Sequence, residues 1–111
     1  MLLNNPIPLY PPYIDLCEFD LEDYPELKEL FSSNEPWWLE QFNWGKVFLI
    51  YIGRNKSEHT YDRFRNDVER FLLWSFIEKK KPIDQLRKSD FLEYADFCWQ
   101  PPINWIGTSN H

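Results

Sequence analysis

Residues 54–81 read RNKSEHTYDRFRNDVERFLLWSFIEKKK. Within them Tyr61, Phe64, Val68, Phe71, Leu72 and Phe76 recur at intervals of three and four, which places them in one stripe of a long amphipathic helix. The spacing predicts a helix over 57–80. Ser57 is its expected N-cap, because a hydroxyl there accepts a bond from one of the first free backbone N–H groups. The opening is unusual in what it collects: Arg54, Asn55, Lys56, Ser57, His59, Thr60 and Arg63 bring cations and short hydrogen-bonding groups to the positive end of a helix. That combination suits a phosphate.

Upstream, Pro36 fits the first position of a second helix, where its missing N–H is not needed. Trp38, Phe42, Gly45, Phe48, Leu49 and Ile52 share one face of it, and Trp37, Trp44, Val47 and Tyr51 widen the apolar girth. So broad a stripe implies burial between neighbours. The helix is expected over 36–52, with Gly53 ending it in a left-handed turn. Before it, Tyr24, Leu27, Leu30 and Phe31 trace a short amphipathic helix over 24–32 in an acidic stretch. Pro6, Pro8, Pro11 and Pro12 make residues 1–14 an extended arm. Its Ile7, Leu9, Tyr10, Tyr13 and Ile14 either pack along a neighbouring surface or leave the terminus loosely held.

Downstream, Lys79, Lys80 and Lys81 fall in the last helical turn, where they complement the helix dipole or meet a phosphate. Pro82 stops the helix and Ile83 and Leu86 anchor a connector. Ser89 is the expected cap of a last helix over 89–99 carrying Phe91, Leu92, Ala95, Cys98 and Trp99. Residues 101–111 read as an exit linker, with Trp105 and Ile106 folding back. The expectation is an all-α fold, a small bundle of four or so helices with an extended Pro-rich N-terminal arm. Three units are expected: arm and acidic helix over 1–35, helical domain over 36–100, linker over 101–111.

Composition bounds the function. The chain has 111 residues, 43% of them hydrophobic, which supports one core. Six Trp, nine Phe and six Tyr against three Gly mean packing by large rings. The longest apolar run, 47–52, is too short to span a bilayer, and residues 1–5 lack the pattern of a signal peptide, so a cytoplasmic location with no membrane is expected. Cys17 and Cys98 have neither CxxC spacing nor a histidine cluster, so no metal is expected, and no cofactor motif is present. Asn55-Lys56-Ser57 fits a glycosylation sequon that an intracellular chain does not use. Net charge is −6. Up to Gly53, nine acids face two bases, giving −7; after it, nine acids face ten bases, giving +1. A nearly neutral half can still present a basic face, since a phosphate responds to potential within a Debye length of about 10 Å.

No catalytic constellation is visible: His59 and His111 are the sole imidazoles, and GxSxG, HExxH and phosphate-binding glycine loops are absent. The chain by itself is expected to catalyse nothing. From Phe42 to Trp99 the order of features resembles the SAM-like, N-terminal core-binding domain of tyrosine recombinases, the phage-integrase family. The residues that carry it are Ser57, Thr60, Tyr61, Phe71-Leu72 with Trp74, Pro82, Ile83, Leu86, Asp90 and Tyr94, over about half of the chain. The acidic, Pro-rich first 35 residues lie outside it. The resemblance implies a DNA-binding domain that grips the recombination core site of duplex DNA, as part of a multimer, while a C-terminal domain beyond His111 cleaves and joins strands. The chain is then a fragment of a longer site-specific recombinase of a mobile element.

The residues support DNA contact independently of that resemblance. Ser57, Thr60 and the free N–H groups form an anion site flanked by Arg54, Lys56 and Arg63, while Asn55, His59 and Arg63 reach base edges if the helix points into the major groove. Arg87 and Lys88, ahead of the last helix, repeat the arrangement and give a second phosphate contact. The rival reading is an acidic, aromatic-rich protein-interaction module that docks a partner through exposed Trp37, Trp44 and Trp105 without binding DNA.

Overall fold

Pro25 and Pro36 each open a helix. They are two of five in the computed structural model, which describes residues 6–105. The helices are α1 (Tyr13–Cys17), α2 (Pro25–Ser32), α3 (Pro36–Asn55), α4 (Glu58–Leu73) and α5 (Lys88–Trp99). A π-helical segment, Trp74–Lys79, continues α4, and single 3-10 turns lie at Leu21–Asp23, Ile83–Gln85 and Ile103–Trp105. No strand occurs among the described residues, so the fold is all-α, as the hydrophobic spacing predicts.

The antiparallel pair α3 and α4 is the centre. Trp38, Phe42, Leu49 and Ile52 of α3 are buried, as are Tyr61, Leu72 and Leu73 of α4 and Phe76 just beyond it. Trp38 stacks on Phe76 with ring centroids 4.4 Å apart. Phe64 and Val68 line this core half-buried. Phe71, expected in the same core, is only half-buried and turns to the other side, where its ring meets Tyr94 of α5 at 5.0 Å and Trp74 at 6.0 Å. The stripe of α4 is wide enough to be divided between two neighbours, and Phe71 lies on the edge that α5 takes.

Three helix ends differ from expectation. α3 does not stop at Gly53 but runs to Asn55. Gly53 is small for another reason: a Cβ there would lie 2.2 Å from the Tyr13 ring of α1. Gly45 is the same kind of position, with a Cβ meeting the Tyr10 hydroxyl at 2.2 Å. Both glycines let the N-terminal chain approach the α3 backbone. The helix expected over 57–80 has the right extent, yet its last turn is π-helical and closes on Lys80 in the left-handed region (φ 56°), whose N–H reaches the Ser75 carbonyl. There the buried Gln41 of α3 donates from Nε2 to Ser75 Oγ (3.0 Å) and accepts from the Ile83 N–H (2.5 Å). Finally, Ser89 is not the cap of α5. The helix begins at Lys88, and the Asp90 carboxylate reaches back to the Arg87 N–H at 2.8 Å, satisfying the donor that starts the helix.

Where it is described, the arm packs through Leu9 and Tyr10. Leu9 and Tyr10 are buried, Tyr10 stacks on Phe42 at 4.7 Å, and its hydroxyl donates to the Phe42 carbonyl at 2.7 Å. The Leu9 and Tyr10 N–H groups both donate to the Glu69 carboxylate of α4, at 2.6 and 2.8 Å, and the Tyr61 hydroxyl donates to the Pro11 carbonyl at 2.7 Å. Proline removes the donor at every second or third position, so few amides have to be satisfied inside, and Glu69 takes two of them. Burial pushes the Glu69 carboxyl above its ordinary pKa, against the pull of the two amides. Burial, with the charge of Glu69, likewise pushes the Tyr10 phenol up. One hydrophobic cluster runs from Leu9 through Leu27, Leu49 and Leu72 to Trp105, so residues 6–35 belong to the same core as the helical domain.

α5 docks on the far side through Tyr94 and Phe97. Trp105 folds back on Phe97 at 4.8 Å and is buried, while Ile106 lies outside the described residues. Asp90, also buried, binds Lys79 Nζ at 2.8 Å and Lys81 Nζ at 2.9 Å. Those two ammonium groups and the Arg87 amide hold its carboxyl well below the usual carboxylate range.

Candidate nucleic-acid interface

The turn between α3 and α4 is built from Lys56 and Ser57 in extended conformation. The Asn55 side-chain amide donates back to the Tyr51 carbonyl at 2.9 Å, closing α3. Ser57 caps α4 as expected: its Oγ accepts from the Thr60 N–H at 3.2 Å, and the Ser57 and Thr60 hydroxyls lie 3.0 Å apart. The two hydroxyls are thus engaged with each other and with the helix start. The donors left for an anion at this end are the first-turn N–H groups and the side chains of Lys56, His59 and Arg63. Glu58 adds a carboxylate in that first turn, which suits the helix dipole and competes with a phosphate.

Arg54, Asn55, Lys56, Ser57, His59 and Arg63 are all exposed and Thr60 is half-buried. The structure brings these seven residues together around one turn. Arg54 also lies beside Tyr13: a hydrogen bond with Cys17 pushes that phenol's pKa up, and the Arg54 guanidinium opposes it.

Arg87 and Lys88 are exposed as well, but they do not join this group. They sit at the opposite end of α4, whose 16 residues make about 24 Å by helical rise. The two basic helix starts are therefore two separate stations.

Pairing of the cations is uneven. Lys28 binds Glu22, Arg65 binds Asp62, Arg70 binds Asp67, Lys79 binds Asp90 and Glu93, and Lys81 binds Asp90. Lys46 lies over the Phe19 ring. Arg54, Lys56, Arg63, Lys80, Arg87 and Lys88 have no carboxylate within 4 Å among the described residues.

The aromatic residues expected as an exposed docking site are mostly not exposed. Trp37 is half-buried against Trp38 and Phe76, with its Nε1 donating to Glu35 at 2.6 Å, and Trp105 is in the core. Trp44 is exposed at 78%, and Trp99, which sequence spacing assigns to a packed stripe, at 86%. No group of His, Cys, Asp and Glu among the described residues is arranged to hold a metal, and Cys17 and Cys98 are free thiols. No described helix is long and apolar enough to cross a membrane. No family model, no curated protein and no solved structure matches the chain.

Proposed function

We propose that this chain is the DNA-binding, core-binding domain of a site-specific tyrosine recombinase. In this reading it grips the recombination core site as one member of a multimer, while a catalytic domain outside the chain breaks and joins strands. The observation that carries the reading is the partition of the cations. In a protein of net charge −6, the six Lys and Arg that have neither a carboxylate within 4 Å nor a cation–π ring among the described residues include Arg54, Lys56, Arg63, Arg87 and Lys88, the five that the sequence assigns to DNA. Cations not neutralised by a carboxylate are the ones best placed to release counterions from phosphates. The acidic residues Glu22, Asp23, Glu26 and Glu29 in and around α2 leave the first third of the chain unsuited to DNA.

Binding of a short duplex by fluorescence anisotropy, repeated across salt, tests this reading. Weak binding that falls steeply with salt is expected. Arg54→Ala and Lys56→Ala each lower affinity on every sequence and reduce the salt slope by about one. Arg63→Ala is the change expected to alter sequence preference. Equal loss on Glu29→Ala, or no binding at low salt, removes the proposal. A second reading, a protein-interaction module, is favoured by the solvent-facing rings of Trp44 and Trp99.

A further inference from the structure

α3 is apolar on both sides, a pattern that belongs to helices covered on both sides. Its core side is covered by α4 and the arm. On the other side Trp44, Val47 and Tyr51 are 78%, 65% and 63% exposed, and Phe48 is 42% exposed. Glu40, Trp44, Val47, Tyr51 and Arg54 follow one another at intervals of four, three, four and three, the spacing of a coiled-coil seam. Glu40 and Arg54, at its two ends, are exposed and have no ion-pair partner among the described residues.

We propose that this face is a homodimer interface, in which α3 of a second copy of the chain packs antiparallel across a twofold axis near Val47. The choice of occupant follows from charge. The seam is acidic at its start and basic at its end, so it is complementary to itself only when reversed. Antiparallel pairing sets Glu40 beside the partner's Arg54 and Trp44 beside the partner's Tyr51, each contact occurring twice by symmetry. Parallel pairing would set like charges together. The four apolar side chains offer about 500 Å² per copy, less than the roughly 800 Å² of a standard interface, so the dimer is weak and forms at micromolar to submillimolar concentration. The proposal does not rest on the DNA reading, although the two share Arg54.

Sedimentation velocity of the full chain over that concentration range is the test. A monomer–dimer equilibrium is expected. Val47→Glu, at the twofold axis, weakens it at least tenfold, with the helical circular dichroism and melting temperature of the exposed-site variant serving as the check on folding. Glu40→Arg and Arg54→Glu each weaken the dimer, and the two combined in one chain restore it. A protein that stays monomeric throughout overturns the proposal. So does a dimer that survives Val47→Glu, a dimer lost on Trp99→Glu instead, or a double charge reversal that fails to restore what the single reversals removed.

Discussion

The Pro-rich arm and helix α5 exchange the places that their compositions suggest. The arm has the composition of a loose terminus, yet Leu9 and Tyr10 are among the most buried residues of the molecule. α5 has a regular apolar stripe, yet Phe91, Leu92 and Trp99 of that stripe face solvent. The difference lies in what meets each segment. The arm finds a channel prepared for it: Gly45 leaves room for the Tyr10 hydroxyl, the Phe42 ring and carbonyl receive the side chain, and Glu69 receives the two amides. α5 finds Phe71, Trp74 and the lysines around Asp90, and it turns toward them the face holding Tyr94, Phe97 and Asp90. Hydropathy proposes a face. The partner surface disposes of it.

The contrast is broken most directly by truncating one large ring in each segment. Tyr10→Ala removes a buried ring and its hydrogen bond and is expected to cost about 3–5 kcal/mol by urea denaturation. Trp99→Ala removes a larger ring from solvent and stays within about 0.5 kcal/mol. Comparable losses in the two variants mean that the arm is not core.

Glu69→Ala comes next, at about 2–4 kcal/mol, because it leaves the Leu9 and Tyr10 amides unpaired in a half-buried place. Hydrogen exchange at those two amides is expected to accelerate more than at the α3 amides. Glu69→Gln sharpens the point through pH. A carboxyl whose pKa is raised by burial contributes its stability at low pH and loses it as pH rises from the ordinary 4.5 through the raised value. The wild type therefore loses stability over that window by an amount that the Gln variant does not. Identical pH profiles remove Glu69 as a titrating latch.

The smallest change tests the junction that presents α5. Lys80 holds a left-handed conformation that side chains adopt at a cost of about 1–2 kcal/mol, so Lys80→Gly is expected to raise stability by about 1 kcal/mol. A fall in melting temperature would show that the Lys80 side chain contributes more than its backbone costs.

Much of the candidate DNA-binding site was legible before the structure. Ser57 caps α4, and Arg54, Asn55, Lys56, His59, Thr60 and Arg63 gather around it, because a helix start is a local event set by residues three or four apart. Arg87 and Lys88 were legible as a helix start too, but not their remoteness, which follows from the length and direction of α4. The role of Glu69 was not legible. A carboxylate on a charged helix carries no sign that two amides about sixty positions earlier will use it.

The sequence by itself determined the all-α class, the existence of the four longer helices, the cap at Ser57 and the apolar side of α3 that faces α4, since each depends on periodicity or on groups within one helical turn. Tertiary structure alone decided that Gly53 is a contact point and not a helix end, that Gly45 is a contact point as well, and that Phe71 faces α5. It also decided that Asp90 displaces Ser89 in starting α5, and that Leu9 and Tyr10 of the arm are inside while Trp44 and Trp99 are outside. Those outcomes depend on which surfaces meet across long stretches of chain. A backbone amide or a ring is buried only where another segment supplies its partner, and no local pattern names that segment.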